Sequence, residues 1–338
     1  MKKATLYKKL KNKKVKCTAC NHYCTIAPEN TGICGVRKNI KGDLYLSVYG
    51  LTSGTQIDSI EKKPFFHFMP TSLAYSIGTI GCNFGCEFCQ NAWMSQCTKD
   101  PSIPIPPLYR LSPEQVVKEC LEDNIPIIAY TFNEPATFFE YTYDTAKLAH
   151  KKGIKNVYVS NGYLSKEAIG KISPYLDAIN IDLKAFTEDF YKRLCKARLQ
   201  PVLNNIKQCY AEKIWLEITT LIIPGENDSS KEIKQIAQFI TSVSKSIPWH
   251  VTSFSPAYKM RDKPSTPEET IRRAYEIGKD AGLKYVYAGN VFGEDLHSTF
   301  CHKCSNLLIK RDWGYTRIEG FKNGKCSKCK AKIDSIWK

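Results

Sequence analysis

Short hydrophobic runs punctuate the middle of the chain at 73–80, 126–132, 154–160, 177–183, 214–223 and 249–254. Each is rich in β-branched and aromatic side chains and bounded by Gly, Pro, Asn or Asp. That pattern predicts strands, and a shorter run at 283–288 offers a seventh. The stretches between them predict helices. Ser112-Pro113 with Gln115 spells a capping box with proline at the first helical position, and Thr266-Pro267 with Glu269 repeats the signature. Strands alternating with helices predict parallel βαβ units. Six such units are too few to close an eight-fold barrel. The expected fold is therefore α/β, a partial (β/α)6 TIM-like barrel.

Barrels of this kind gather their chemistry on the loops that follow the strands, and the polar motifs fall there. GTIGCNFGCEFCQN follows the first predicted strand, NEP the second, NG the third, LKAF the fourth, PGEND the fifth and SPAYKM the sixth. Upstream, residues 17–37 form a cysteine-rich knot, and 44–70 read as connecting β and turn structure. The expected organisation is an N-terminal Cys-rich metal-binding segment (1–70), a core domain (71–296) and a C-terminal segment (297–338) carrying paired Cys-x2-Cys knuckles.

The 338 residues are 43% hydrophobic, more than one compact core usually needs. No apolar run approaches the ~20 residues that span a bilayer. The lysine-rich start MKKATLYKKLKNKKVK is followed by no apolar stretch, so it does not read as an export signal. A soluble, cytoplasmic protein with no membrane partner is expected. The formal charge of +16 invites a nucleic-acid reading, but its placement weakens it. Residues 1–16 carry +8 and residues 301–338 carry +7, which leaves +1 for the 284 residues between. A nucleic-acid partner is disfavoured, although Trp313 and Tyr315 offer some stacking surface between the C-terminal knuckles.

Fifteen cysteines are too many, and odd in number, for disulfides to pair them all. Eleven fall into three groups: Cys17, Cys20, Cys24 and Cys34; Cys82, Cys86 and Cys89; Cys301, Cys304, Cys326 and Cys329. Grouped thiols in a reducing compartment read as metal ligands. The scattered Cys97, Cys120, Cys195 and Cys209 read as small buried hydrophobes or free thiols. In Cys82-Asn-Phe-Gly-Cys86-Glu-Phe-Cys89, three thiolates can wrap one face of a 4Fe-4S cluster and leave one iron open, as catalytic metals require. A structural zinc knuckle borrowing a fourth ligand is the plain alternative, and the position after the first strand of a β/α barrel argues against it. Cys301-x2-Cys304 with Cys326-x2-Cys329 reads as a zinc ribbon, a closed tetrahedral site. The N-terminal four read as a zinc site or as a second, fully ligated cluster.

The CxxxCxxC triplet, with an aromatic residue just before its third cysteine, resembles the radical S-adenosylmethionine (radical SAM) superfamily. CTACNHYCTIAPENTGICGVR (17–37), IEKKPFFHFMP (60–70), SIGTIGCNFGCEFCQN (76–91), YTFNEP (130–135), NIDLKAF (180–186), TTLIIPGEND (219–228) and YVYAGN (285–290) narrow the resemblance to the radical SAM enzyme of the AmmeMemoRadiSam system, a group similar to pyruvate formate-lyase activating enzymes. The resemblance covers nearly the whole chain. It implies an enzyme that cleaves S-adenosyl-L-methionine reductively at the cluster of Cys82, Cys86 and Cys89. The resulting 5′-deoxyadenosyl radical would abstract hydrogen from a substrate. Phe88 would back the adenine, Asn133-Glu134 would stand where relatives carry Gly-Gly-Glu, and Glu134 would accept from the SAM amino group. Ser160, Asn161 and Gly162 would border the ribose. Asp182 and Lys184 match a DxK motif in which Lys184 pairs the SAM carboxylate. Each has a plainer reading: a helix-starting turn at 133–135, a β-turn at 161–162, and an N-cap beside a surface charge at 182–184.

The resemblance further implies an electron donor and, as partner, a protein substrate such as a glycyl radical enzyme or another member of the AmmeMemoRadiSam system. It leaves His250 and Ser255 unassigned, because pyruvate formate-lyase activators place a SAM-contacting histidine near the last strand and neither residue sits squarely there. The competing expectation is a non-catalytic zinc-ribbon interaction protein built on a relic barrel.

Overall fold

The computed structural model describes residues 1–291, 294–312 and 315–337; Trp313 lies outside the described residues. Eight strands form the central sheet. β1 (Gly54–Ser59) runs antiparallel to β2 (Leu73–Gly78). Next come β3 (Ile127–Tyr130), β4 (Lys155–Ser160), β5 (Ala178–Asp182), β6 (Trp215–Ile222), β7 (Trp249–Ser253) and β8 (Val286–Gly289). From β2 to β8 every neighbour is parallel and in chain order. The crossovers contain α1 (Pro113–Glu122), α2 (Phe139–Lys151), α3 (Lys166–Ile172), α4 (Leu199–Ala211), α5 (Ser230–Val243) and α6 (Glu268–Asp280). Six β/α units are thus followed by one more parallel strand, β8, and preceded by β1, which the sequence places in the connecting segment.

The strands are buried almost without alternation: all of Ile127–Tyr130 and five of six residues in Leu73–Gly78 are buried. Helices on one face and packed side chains on the other produce that pattern. The sheet curls. Ile57 of β1, Ser160 of β4, Thr219 of β6, His250 of β7 and Ala288 of β8 all line one cavity of about 1040 Å³. β1 and β8 are its two edges, so the barrel is open along one side.

The C-terminal segment lies along that opening. Ile336 forms a bridge with Phe68, the Met69 N–H donating to the Ile336 carbonyl at 2.7 Å and the Ile336 N–H to the His67 carbonyl at 2.8 Å. Tyr285 and Tyr287, flanking and within β8, bury themselves against Leu308 and Ile309, with Phe66 packed alongside. At the other end, two small sheets form the Cys-rich segment: Lys2–Lys3 with Asp43–Leu46 and Arg37–Ile40, and Tyr7–Lys9 with Val15–Cys17 and Thr25–Ile26. Arg37 fixes this segment to α2. Its guanidinium donates to both Glu140 carboxylate oxygens at 2.8 and 2.9 Å, and both side chains are 2% exposed.

The capping box at Ser112 forms as the sequence predicts, with Ser112 and Gln115 bonding reciprocally. The one predicted at Thr266 does not. The Thr266 hydroxyl donates to the Ile222 carbonyl at 2.6 Å and accepts the Phe254 N–H at 2.8 Å, so it ties β6 to the segment after β7 and leaves Pro267 at the cap with no side-chain bond. Among the described residues no helix is long and apolar enough to cross a membrane.

Candidate active site

The loop after β2 carries Cys82, Cys86 and Cys89, and all three line the cavity. The sharp turn into it needs Gly81, whose φ is +85° and whose absent Cβ would meet the Cys34 carbonyl at 2.5 Å. The turn is held from several sides. Asn133, after β3, accepts the Thr79 N–H at 3.2 Å and donates to the Gly81 carbonyl at 2.7 Å. Lys99 donates to the Cys82 and Phe84 carbonyls. The carbonyls of Leu194 and Cys195, in a π-helical turn at Tyr191–Cys195, accept the Glu87 and Gly85 N–H groups. π-turns of this kind are frequent at functional sites.

The thiols themselves are held neutral by the apolar surroundings. Burial pushes the Cys82 thiol up to about 12 and raises Cys89. Hydrogen bonding to the Cys195 thiol, and then burial, raises Cys86 far above the ordinary thiol range. Such thiols become thiolates only when a cation compensates the charge, and that is the condition of a metal ligand. An all-thiol donor set on one loop fits an iron–sulfur group.

Polar groups from three further strand ends converge beside them. Glu134 is 2% exposed and accepts from the Ala136 N–H at 3.0 Å, the Asn161 N–H at 2.8 Å and the Ser160 hydroxyl. Burial pushes its carboxyl up to about 7 against the pull of those two backbone donors. The Asn161 amide reaches Asn83 at 2.8 Å and lies 3.9 Å from the Cys82 sulfur. Lys184 pairs with Asp182 at 2.9 Å, and its ammonium lies 5.7 Å from the centre of the Phe88 ring. Burial disfavours that charge, but the pairing with Asp182 and the neighbouring groups outweigh it, so Lys184 stays charged.

Of the residues singled out from sequence, Phe88, Asn133, Glu134, Ser160, Asn161, Asp182 and Lys184 line the cavity with the three cysteines. Gly162 does not. With φ at +69° and Ile181 2.7 Å from where its Cβ would be, it makes the turn that aims Asn161. His250 lines the cavity lower down, buried, bonding Glu217 at 2.7 Å and stacked on Tyr287. Ser255 is exposed and outside the cavity. Residues the sequence reading passed over include Cys195 and Asn83. Another is Phe132, which lines the cavity at a φ of +70°, a left-handed conformation rare for a bulky side chain. Arg311, Asp312, Tyr315 and Thr316 of the C-terminal segment also reach the cavity wall.

Outside the cavity, the sulfurs of Cys301, Cys304, Cys326 and Cys329 all lie within 4.8 Å of one another, Cys301 with Cys329 at 3.5 Å and Cys304 with Cys326 at 3.7 Å. A tetrahedral ion with metal–sulfur bonds of ~2.3 Å requires about that spacing, so these four can hold one ion. Of the N-terminal cysteines, Cys17 and Cys24 face each other across a strand pair, the Cys17 N–H donating to the Cys24 carbonyl at 2.9 Å.

A family model described as the Radical SAM superfamily matches residues 76–240. An uncharacterized protein of Methanocaldococcus jannaschii is 40% identical over 339 residues, covering 99% of this chain and 100% of its own. A candidate glycyl-radical enzyme activating enzyme of the same archaeon is 28% identical over 216 residues, 62% of this chain and 76% of its own. Among solved structures, a radical SAM methyltransferase from Sphaerobacter thermophilus superposes with a TM-score of 0.50 at 16% identity, over 75% of this chain and 72% of its own. That likeness speaks for the fold.

Proposed function

The chain belongs to the radical SAM superfamily, and from that premise we propose that it is an enzyme that cleaves S-adenosyl-L-methionine reductively and abstracts hydrogen from a substrate, in the manner of the AmmeMemoRadiSam radical SAM enzyme. The observation that carries this reading is the meeting, in one cavity, of two buried thiols and a half-buried one with an anchored carboxylate and a half-buried ammonium. Cys82, Cys86 and Cys89 would hold a 4Fe-4S cluster with one iron left for SAM. When bound, that group supplies the single electron that splits a sulfonium C–S bond into methionine and a 5′-deoxyadenosyl radical. The protein's own part is placement. Glu134, immobilised by two backbone donors and Ser160, would accept from the SAM amino group. Lys184, held by Asp182, would pair the SAM carboxylate, with Phe88 against the adenine and Ser160 and Asn161 beside the ribose. The cavity is at the top of the ~300–1,000 Å³ range of small-molecule sites, which leaves room for part of a substrate beside SAM. A protein substrate is in keeping with the name of the 28% identical relative, a candidate glycyl-radical enzyme activating enzyme. Anaerobic protein with SAM and a low-potential reductant should release 5′-deoxyadenosine. A colourless protein without turnover would instead be the relic scaffold.

Glu134 gives a pH test. Its ionised form binds the ammonium more strongly than its neutral form, and burial pushes its carboxyl up to about 7. SAM affinity should therefore be level above that value and fall below it. Isothermal titration at pH ~6 and ~7.5 checks this, and Glu134→Gln should abolish the dependence.

For the C-terminal four we propose zinc. Cys304→Ala should release one zinc per chain by metal analysis and lower the melting temperature, because a ribbon of this kind folds on its metal.

A further inference from the structure

We propose that the Ser95 hydroxyl, held by Gln96, donates a hydrogen bond to the Cys89 sulfur and thereby raises the reduction potential of the group bound there. The proposal rests on the assignment of a 4Fe-4S cluster to Cys82, Cys86 and Cys89 made above.

The chain runs from Cys89 through Gln90 and Asn91 into a single helical turn, Ala92–Ser95. The Ser95 N–H donates to the Asn91 carbonyl at 2.9 Å, and the turn brings Ser95 Oγ to 3.1 Å from Cys89 Sγ. Both side chains line the cavity; Ser95 is buried and Cys89 half-buried. Serines in helices often bond back to the carbonyl four residues earlier. The Ser95 hydroxyl makes no such bond. Its oxygen accepts from the Gln96 side-chain amide at 3.0 Å, and that same nitrogen donates to the Phe84 carbonyl at 3.2 Å. Gln96 is buried as well, so it ties Ser95 to the loop between Cys82 and Cys86. A hydroxyl accepts through its lone pairs and has a single proton to give. With Gln96 on the accepting side, that proton is left for Cys89.

Between a free thiol and a hydroxyl either atom can be the donor. A metal-bound thiolate has no proton, so ligation fixes the direction: Ser95 donates and the sulfur accepts. The neighbouring sulfur is served differently. Cys82 accepts the Phe84 backbone N–H at 3.4 Å, and the Asn161 amide 3.9 Å away is shared with Asn83. Among the described residues, Ser95 is the one hydroxyl hydrogen-bonded to any of the three sulfurs.

Reduction adds one electron to the cluster and increases the negative charge on its sulfurs. A hydrogen bond to a ligand sulfur therefore favours the reduced form over the oxidised one. The electron comes from an external low-potential reductant, which is oxidised by one electron. The proton stays on the Ser95 oxygen, and no bond forms or breaks.

The test is a dithionite-poised redox titration of anaerobically reconstituted full-length protein, followed by electron paramagnetic resonance. The Cys82→Ala/Cys86→Ala/Cys89→Ala variant is the blank, and only signal lost in it is counted. Ser95→Ala should bind as much iron as the native chain but titrate lower, its reduction equilibrium constant down about tenfold, or about 59 mV more negative for a one-electron couple. Ser95→Thr, which keeps the hydroxyl, should titrate with the native chain. After exchange into D2O, the deuterium coupling to the reduced cluster should weaken in Ser95→Ala, a change that loss of packing alone would not produce. An unshifted potential or undiminished deuterium coupling in Ser95→Ala, or a Ser95→Thr shift as large as that of Ser95→Ala, would overturn the proposal and leave the active-site assignment standing. Loss of iron in Ser95→Ala would make the residue structural and overturn it too. A native chain with no signal beyond the blank would overturn the active-site assignment, and this proposal with it.

Discussion

Cys86→Ala is expected to abolish the broad iron–sulfur absorption at about 400 nm and all formation of 5′-deoxyadenosine, while the C-terminal metal stays bound. Three thiolates are the minimum that holds a cluster with one open iron, so losing one of them removes the group rather than weakening it. Cys86 is the most telling of the three because it is buried and its thiol is raised by hydrogen bonding to Cys195. Cys195 is close enough to act as a stand-in ligand, so Cys86→Ala/Cys195→Ala is the companion variant; both should be inactive. Anaerobic absorption spectra and product chromatography decide it. Sustained SAM cleavage in the double variant would remove the mechanism altogether.

Arg37→Leu is expected to destabilise the fold by about 3–5 kcal/mol, because it leaves the Glu140 carboxylate buried and unpaired. The pair is bidentate, and both members are almost inaccessible to water. Adding Glu140→Leu should recover much of the loss, since two apolar side chains restore a neutral interior. Urea titration of the three variants measures this. The same pair gives a sign for acid sensitivity. Burial raises the Glu140 carboxyl, but Arg37 outweighs it and holds the carboxyl below its ordinary value. The stabilisation is therefore present above the unfolded carboxyl's pKa of about 4.3 and drains away as pH falls from there toward the lower folded value. The Arg37→Leu variant should lose that acid dependence.

The strand positions were legible because parallel strands buried on both faces leave unbroken apolar runs, and the three cavity-lining cysteines because their spacing lies within a single loop. What escaped the sequence depends on partners far along the chain. Cys195 looked like a stray thiol because its relation to Cys86 exists only once the π-turn folds over the loop. Thr266 looked like a helix cap because the local string matches; nothing local shows that Ile222 and Phe254 claim its hydroxyl. β1 was hidden in a connecting segment because an edge strand of mixed exposure lacks the apolar run of its neighbours. The reach of Arg311 and Tyr315 to the cavity wall requires the ribbon to lie along the opening of the sheet, which no short motif records.

The backbone pairing of Phe68 and Met69 with Ile336 sets a timetable for folding. Contacts separated by most of the chain's length carry the largest loop-closure cost and form late. During synthesis, β1 through β8 can be complete while the strip that covers the opening is still inside the ribosome. The nascent barrel then spends that interval with Phe66, Tyr285 and Tyr287 lacking the cover of Leu308 and Ile309. This is the stage at which aggregation, premature metal loading or capture by a chaperone would compete with productive assembly.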